Sequence, residues 1–370
     1  MPSPRRRIGR ATRLIVKIGS GVIAGGGRLH PEIIADIAHD VTVLAHQKRE
    51  VIMVVSGAVA AGFEPMGFAS PPRAVVERQA AASVGQHRLM AMFAQAFAPH
   101  RLQVAQLLMT ADDIENRRRF LSARHTLAML LKRGVVPIIN ENDALSDDET
   151  KVGDNDHLAA LVTNLVSAQL LVLLTRVKGL YRAGGEKIIP LVEVGSSVDE
   201  HITSDLSETG VGGMGAKVSA ARLASRGGVP TVIADGTQPG MLQSIMDGRE
   251  VGTLFTPAPS KLNARKRWIA IRSRSHGVLR IDAAAAKALR ETGASLLPVG
   301  IRAVEGEFEM GERIEIREET GANVAVGLVN YRSDEIRRLM GKARTEYTAI
   351  LGYEYVKEIV HRDDLVLTDE

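Results

Sequence analysis

The sequence predicts an α/β protein, with a parallel sheet covered by helices on both faces over its first two-thirds and a small, mainly-β domain after it. Six short apolar runs alternate with amphipathic segments up to about residue 235, which is typical of buried parallel strands joined by helices. This alternation stops after Phe255, where a Pro-containing break at 257–259 precedes a basic stretch at 261–274. Short runs punctuated by glycines follow and indicate a barrel of β-strands.

The predicted strands of the first part are β-branched or Leu-rich and cover 14–18, 51–55, 104–109, 135–139, 170–174 and 231–234. Apolar residues at helical spacing predict helices at 31–45, 74–98, 117–132, 157–168 and 216–226. Pro31 suits the first turn of its helix. Ligands of such sheets bind at the carboxyl ends of the strands, so we expect the site there.

The second part predicts a helix at 283–290 and strands near Leu279 and at 299–304, 313–317 and 324–328. We therefore predict four segments: a first domain at 1–260, a basic linker at 261–275, a second domain at 276–358 and a C-terminal tail at 359–370.

Composition excludes several classes of protein. The chain has no cysteine, so disulfides, thiolate nucleophiles and Cys-ligated zinc are ruled out. Aromatic residues make up 4%, which disfavours a base-stacking platform for single-stranded nucleic acid. The net charge of +4 includes a cluster of arginines in the first thirteen residues. No apolar run is long enough to span a membrane, and we expect a cytoplasmic protein.

Two strand ends carry candidate anion-binding turns. Lys17 is followed by Gly19, Ser20 and Gly21, and the backbone N–H groups of such a turn can face phosphate oxygens. Ser56 opens a turn of small residues after the second predicted strand. Taken singly, an ordinary glycine turn explains the first of them equally well, and a helix N-cap is the favoured explanation of Ser56.

A third strand end is more strongly polar. The run Asn140-Glu-Asn-Asp143 follows a buried strand, and Asp154-Asn-Asp156 comes shortly before a helix. An amino acid substrate needs an acceptor for its ammonium group, such as Asp143, and a donor for its carboxylate, such as Asn155. We therefore favour a binding site over a solvated loop.

The run Gly210-Val-Gly-Gly-Met-Gly215 matches the dinucleotide-binding fingerprint, and Asp235 follows at the matching distance. A nicotinamide-dependent dehydrogenase is therefore an alternative. The preceding stretch, 198–209, is rich in acidic and Ser residues and predicts a loop where that motif needs a buried strand. A glycine-rich anion loop ending in Lys217 fits better. The histidines lack the spacing of metal ligands, and no metal site is predicted.

Six motifs in this order resemble glutamate 5-kinases of the amino acid kinase superfamily: Lys17-Ile-Gly-Ser, Val55-Ser-Gly-Ala-Val-Ala-Ala-Gly62, Val136-Pro-Ile-Ile-Asn-Glu-Asn-Asp143, Lys151-Val-Gly-Asp-Asn-Asp156, Leu174-Thr-Arg-Val-Lys-Gly-Leu-Tyr181 and Gly212-Gly-Met-Gly-Ala-Lys217. The C-terminal part resembles a PUA domain through Ser295-Leu-Leu-Pro-Val-Gly-Ile301, Ile350-Leu-Gly-Tyr-Glu-Tyr355 and His361-Arg-Asp-Asp364. The resemblance implies the three-layer αβα sandwich of the amino acid kinases, and a PUA-like barrel after it.

The resemblance also implies ATP-dependent phosphorylation of the γ-carboxylate of L-glutamate, the first step of proline synthesis, with Mg²⁺ carried by the nucleotide. Lys17 and Lys217 would neutralise the transferring phosphoryl group, and Asp156 would hold both lysines. Ser56, Asp143 and Asn155 would bind glutamate. The nucleotide would contact Lys17, Thr175, Arg176, Val211, Gly212, Gly213, Met214, Gly215, Ala216 and Lys217. Arg176 and Val211 depart from the family's usual Asp and Thr.

The implied partners are L-glutamate, ATP, proline as a feedback inhibitor, further copies of the chain in a homo-oligomer, and a glutamyl phosphate reductase that receives the product. Another phosphotransferase of the superfamily stays an alternative. RNA binding through the basic segment is a further one, disfavoured by the acidic residues Glu305, Glu307, Glu309, Glu312, Glu315, Glu318 and Glu319.

Overall fold

The computed structural model describes residues 3–25, 28–110, 113–114, 116–144, 154–182, 185, 187–193, 195–196, 198, 201, 213–257, 275–353 and 356–368. The chain divides into two compact units, one made of 1–115 with 123–259 and the other of 116–122 with 260–370. The predicted basic linker lies outside the described residues except for Ser275. The exact domain limits stay a prediction.

The first unit alternates strands and helices. Its described strands are β1 (Arg13–Ile18), β2 (Ala24–Gly25), β3 (Arg28–Leu29), β4 (Glu50–Val55), β5 (Val104–Met109), β6 (Val136–Glu141), β7 (Leu170–Thr175), β8 (Leu191–Val192), β9 (Thr231–Asp235) and β10 (Thr253–Phe255). Its described helices are α1 (Pro4–Ile8), α2 (Ser20–Ile23), α3 (Pro31–His46), α4 (Ala58–Gly62), α5 (Val75–Phe97), α6 (Arg117–Lys132), whose first residues belong to the second unit, α7 (Asp154–Leu165), α8 (Met214–Arg226) and α9 (Met241–Met246). All six predicted strands and all five predicted helices of this part are present.

An eight-stranded sheet organises this unit, in the order β5-β6-β4-β1-β7-β9-β10-β8. β1 is central and pairs in parallel with both β4 and β7. The six predicted strands pair in parallel, as the sequence predicts, whereas β10, which the sequence does not predict, runs antiparallel to β9. β8 and β10 span only two and three residues, too few for a periodic pattern to reveal them.

The central strand is buried on both sides, as its apolar run predicts. Leu14, Ile15, Val16 and Ile18 are fully buried, and burial of each such side chain contributes about 1.5–3 kcal/mol. Helix α3 covers the sheet with the predicted stripe that includes Ile34, Val41 and Leu44. Lys17 is the exception in β1, since a buried ammonium group is costly unless a partner compensates it.

Helices α4 and α5 cross at two glycines. A Cβ atom added to Gly62 would overlap the carbonyl oxygen of Ala81 and the backbone nitrogen of Gly85, and one added to Gly85 would overlap the carbonyl oxygen of Ala58. Only glycine permits this approach. The crossing brings the middle of α5, including Gln86, close to the turn that follows β4.

The arginine-rich start is partly docked onto the sheet. Arg5 is buried, and its guanidinium donates hydrogen bonds to the carbonyl oxygens of Pro190 and Gly252, both at 2.8 Å, and of Val251. These carbonyls flank β8 and β10. Arg5 therefore fastens α1 to the edge of the sheet.

The second unit is a separate small β-domain. Its described strands are β11 (Val278–Ile281), β12 (Ile301–Glu305), β13 (Arg313–Glu318), β14 (Asn323–Leu328) and β15 (Leu365–Leu367), and its helices are α10 (Ala283–Thr292), α11 (Ser333–Leu339) and α12 (Tyr347–Leu351). The sheet order is β12-β11-β13-β14-β15. Tyr331 and Tyr347 meet edge to face in its core, with ring centroids 6.5 Å apart.

The predicted C-terminal tail needs correction, because residues 359–367 belong to this domain. Ile359 and Val360 are buried in its core, Asp364 is fully buried, and β15 pairs antiparallel with β14. The short apolar segments Ile359-Val360 and Leu365-Val-Leu367 carry this packing, and neither is long enough to predict a strand from its pattern alone.

Candidate active site

Two buried lysines share one buried aspartate at the centre of the first unit. Nζ of Lys17 lies 2.8 Å from Oδ1 of Asp156, and Nζ of Lys217 lies 3.1 Å from Oδ2 of the same carboxylate. The side chains of Lys17, Asp156 and Lys217 are 7%, 1% and 9% exposed. The structure thus brings together the three residues predicted to be catalytic.

Each of these residues comes from a different element. Lys17 is the penultimate residue of the central strand β1, Asp156 lies in the first turn of α7, and Lys217 lies in the first turn of α8. Both helices therefore begin at the carboxyl edge of the sheet, where the parallel topology predicts the site. Lys217 lies near the N-terminus of a helix, as the predicted helix at 216–226 implies, and this helix begins at Met214.

The electrostatics of the cluster favour an anion. Burial lowers the pKa of Lys17, although the neighbouring Asp156 raises it in part. Burial also acts to raise the pKa of Asp156, but Lys17 and Lys217 together outweigh it and hold that pKa below its usual range. Asp156 is therefore ionised at neutral pH. With both lysines protonated, the cluster carries one excess positive charge.

A chain of amide hydrogen bonds starts beside this cluster. Asn155, next to Asp156 in the sequence, donates from Nδ2 to Oγ of Ser56 at 3.1 Å and to Oδ1 of Asn140 at 3.2 Å. Its Oδ1 accepts from the backbone N–H of Glu141 at 3.2 Å. The N-cap of α4 is Gly57 and not Ser56, so the N-cap explanation of Ser56 is wrong, and two predicted substrate-binding residues meet.

Asp143, the third predicted substrate residue, lies on a neighbouring cavity. This cavity has a volume of about 230 Å³ and is lined by α4, α5, β5 and the residues after β6, with Gln86, Gln106 and Asp143 among them. Ser56 and Asn155 do not line it. The predicted substrate residues therefore form two adjoining groups at the same edge of the sheet.

The predicted nucleotide residues are described only in part. Thr175 ends β7, and its carbonyl oxygen accepts from the backbone N–H of Gly236 at 2.8 Å. Arg176 is exposed, and its aliphatic stem lies against Gly21 in the turn after Lys17. Gly213 is the N-cap of α8, and Met214, Gly215 and Ala216 form its first turn with Lys217. Val211 and Gly212 lie outside the described residues.

The dehydrogenase alternative loses its acidic residue. Oδ1 of Asp235 accepts from the backbone N–H of Thr237 at 3.0 Å and from its hydroxyl at 2.7 Å, so this carboxylate stabilises its own turn. Residues 202–212, which include the stretch directly before Gly210, lie outside the described residues, so the predicted loop at 198–209 stays a prediction.

Several basic residues of the second unit form ion pairs with its acidic residues. Arg290 pairs with Glu318 at 2.5 Å and Arg337 with Glu307 at 2.8 Å. Several of the acidic residues that disfavour RNA binding are thus next to basic ones, which reduces the net positive charge at those places. The basic stretch at 261–274 lies outside the described residues.

Sequence reasoning assigns no individual role to two residues that organise the site. Asn140 is almost completely buried and joins Asn155 to Gln86, to which its Nδ2 donates at 2.8 Å. The position of Asn140 at the end of a buried strand could have indicated its role, since a buried Asn needs polar partners. Gln86 sits inside a long helical pattern, and only the neighbouring Gly85 marks that turn as closely packed.

Comparisons with known proteins agree with this geometry. Residues 12–235 match the amino acid kinase family, and residues 277–351 match the PUA domain. Glutamate 5-kinase of Geobacter sulfurreducens is 45% identical over 97% of this chain and 98% of its own length. The enzymes of Syntrophotalea carbinolica and Thioalkalivibrio sulfidiphilus are 43% and 45% identical over 97% and 99% of this chain, and over 98% and 100% of their own lengths.

Among solved structures, UMP kinase from Bacillus anthracis aligns with 66% of this chain and 96% of its own, at 16% identity and a TM-score of 0.46. The similarity to the curated relatives extends over both units, and the site motifs occur in the order that the resemblance requires. The chain belongs to the glutamate 5-kinase family, with an amino acid kinase domain followed by a PUA domain.

Proposed function

We propose that this chain transfers the γ-phosphoryl group of ATP to the γ-carboxylate of L-glutamate, forming L-glutamyl 5-phosphate for proline synthesis. The observation that carries the proposal is the pair of buried lysines that share Asp156. The names of the relatives, glutamate 5-kinases at 43% and 45% identity, support the choice of substrate.

The chemistry needs positive charge and positioning more than a proton acceptor. Phosphoryl transfer spreads negative charge over the oxygens of the moving group, and preorganised cations stabilise that charge strongly in a buried site. The attacking carboxylate has a reference pKa of about 4.3 and is already ionised at neutral pH. No general base is required. Asp156 binds a lysine with each oxygen, so its role is to orient Lys17 and Lys217.

The two substrates would approach this cluster from different sides. Ser56, Asn155 and Asp143 lie on the side of β4 and β6, where glutamate would bind. Thr175, Arg176 and the start of α8 lie on the side of β7, where ATP would bind. Both oxygens of Asp156 are occupied by lysines, so Mg²⁺ would enter with the phosphates and add to the charge neutralisation there.

Substitution of the predicted glutamate residues is expected to affect one substrate only. Asp143→Ala removes an acceptor for the ammonium group, and Asn155→Ala removes the amide that holds Ser56 and Asn140 in place. Each should raise the KM for glutamate by about tenfold or more, since a hydrogen bond to a charged group is worth about 1.5–3 kcal/mol and displaced groups make it poorly. The KM for ATP should stay within about twofold. Separate titrations of the two substrates check this. If the KM rises for ATP and not for glutamate, these residues belong to the nucleotide site.

Arg176→Asp is expected to weaken ATP binding. Arg176 stands beside the glycine turn that follows Lys17, so its guanidinium would face the phosphates or the ribose, and an aspartate would repel them. Raising the salt concentration should weaken ATP binding less in the variant than in the wild type. Salt screens the attraction between the guanidinium and the negatively charged nucleotide, and the variant lacks that attraction. Titrating ATP at two ionic strengths measures both effects. Unchanged affinity and unchanged salt dependence would place Arg176 in solvent.

A substrate panel tests the proposed function. ADP release in the presence of MgATP should depend on L-glutamate, and should stay at background with UMP, L-aspartate, carbamate or N-acetyl-L-glutamate. Release with one of these and not with glutamate would assign the chain to another phosphotransferase of the superfamily. NADH binding without any ADP release would favour the dehydrogenase.

Other implications of the resemblance stay predictions. These are feedback inhibition by proline, assembly into a homo-oligomer, transfer of the product to a reductase, and a cytoplasmic location. Within the described residues, no helix has the length and apolar character needed to cross a membrane.

A further inference from the structure

The side-chain amide of Gln86 ends in a donor that the described protein does not use. Its Nε2 atom is buried and has no hydrogen-bond partner within the part of the chain that the structure describes. Gln86 also lines the cavity of about 230 Å³ that contains Asp143. A buried donor without a partner costs about 1–3 kcal/mol, so an acceptor from a ligand would relieve this cost.

The orientation of this amide follows from a backbone group. The N–H of Glu141 can only donate, and it donates to Oδ1 of Asn140 at 2.9 Å. Oδ1 of Asn140 also accepts from Asn155, so Nδ2 of Asn140 must face the other way. It donates to Oε1 of Gln86 at 2.8 Å. This leaves Nε2 as the free end of Gln86, and exchanging its O and N atoms would set two donors against each other.

We propose that Gln86 is a substrate-binding residue whose Nε2 donates a hydrogen bond to the α-carboxylate of glutamate. This inference rests on the function proposed above. It adds a residue that recognises the end of the substrate that is remote from the phosphoryl group.

The direction of the amide chain supports the α-carboxylate over the γ-carboxylate. Asn155 adjoins Asp156 in the sequence, Asn155 contacts Asn140, and Asn140 contacts Gln86. Within this hydrogen-bonded series, Gln86 is therefore the residue farthest from the lysine cluster, counted in contacts. The γ-carboxylate has to meet the phosphoryl group beside Lys17 and Lys217, so the other end of the substrate would reach toward Gln86.

The cavity pairs this donor with an acceptor. Asp143 and Gln86 line the same space, and an α-amino acid presents an ammonium and a carboxylate on one carbon atom. A carboxylate for the ammonium and an amide N–H for the carboxylate are complementary to both groups. A site that uses a buried donor in this way rejects analogues that cannot accept its hydrogen bond.

Gln86→Glu tests the proposal with little change in shape. The new carboxylate still accepts from Nδ2 of Asn140, but it replaces the donor by an anion that repels an α-carboxylate. L-isoglutamine keeps the ammonium and the γ-carboxylate and carries an amide in place of the α-carboxylate, so its N–H can donate to the new residue. We expect the ratio of kcat/KM for glutamate to kcat/KM for isoglutamine to fall by about 10- to 100-fold in the variant.

Gln106→Glu is the matched control, because Gln106 lines the same cavity but lies outside the hydrogen-bonded series Asn155–Asn140–Gln86. We expect this control to change the ratio by less than about threefold, since an exposed charge is screened. If Gln86→Glu does not fold, Gln86→Met, which removes the donor without adding a charge, should lower the ratio by about tenfold.

The outcomes separate this inference from the proposed function. A fall of the ratio in the Gln86 variant but not in the control supports the assignment. If the wild type turns over glutamate but the ratio is unchanged in Gln86→Glu, the assignment of Gln86 is overturned and the proposed function stands. The same holds if the ratio falls equally in Gln106→Glu. Equal losses for both substrates assign Gln86 a structural role and also overturn it. Absence of glutamate turnover in the wild type overturns the proposed function and this assignment together.

Discussion

Lys217→Met is expected to lower kcat by about 10²-fold or more, with a smaller effect on the KM for glutamate. Methionine keeps the length and packing of the buried stem but removes the charge that would face the transferring phosphoryl group. Removing one preorganised donor from such a site typically costs about 10²- to 10³-fold in kcat. The loss should appear in the chemical step, because Lys217 acts on charge that develops during transfer.

Steady-state kinetics at saturating ATP and glutamate measure this effect. Lys132→Met is the control, since Lys132 is exposed at the end of α6 and away from the site, and it should keep wild-type kcat. The thermal transition of Lys217→Met should stay close to that of the wild type, because Asp156 retains Lys17 as a partner. Wild-type turnover in Lys217→Met would remove this lysine from the mechanism.

Asp156→Asn is expected to be the most damaging single substitution at the site. It leaves Lys17 and Lys217 buried near each other without the anion between them. Removing one partner of a buried ion pair costs about 3–5 kcal/mol in stability. We also expect kcat to fall by about 10³-fold, because both lysines lose the group that orients them.

A double-mutant cycle distinguishes this charge effect from simple loss of packing. In Asp156→Asn/Lys217→Met only one buried ammonium remains, so the double variant should be more stable than Asp156→Asn alone. Denaturant unfolding of the two single variants, the double variant and the wild type gives the four free energies of unfolding. Losses that simply add would contradict the repulsion and leave Asp156 with an ordinary packing role.

The sequence predicts those parts of the molecule whose signals are local. β1 is recognisable from Leu14 to Ile18, and Lys17 stands out because it is charged in a buried strand. The motifs around Asn140 and Asp156 place polar residues at strand and helix ends. Helix α3 follows directly from its apolar stripe and Pro31.

Other features depend on contacts between distant segments, which no local pattern encodes. Gln86 belongs to the site because Gly62 and Gly85 allow two helices to cross closely. β10 joins the sheet antiparallel to β9 although it spans three residues. Lys217 is buried because α7 and α8 begin at the same edge of the sheet, and β15 is held by its pairing with β14.

The central claim is that the Lys17–Asp156–Lys217 cluster directs phosphoryl transfer to the γ-carboxylate of glutamate. Incubation with MgATP, L-glutamate and hydroxylamine tests it most directly, because hydroxylamine converts an acyl phosphate into a stable hydroxamate. The wild-type chain should yield γ-glutamyl hydroxamate in an amount equal to the ADP released, and Asp156→Asn should yield neither above background. ADP release without hydroxamate, hydroxamate at the α-carboxyl group, or full yield from Asp156→Asn would contradict this account.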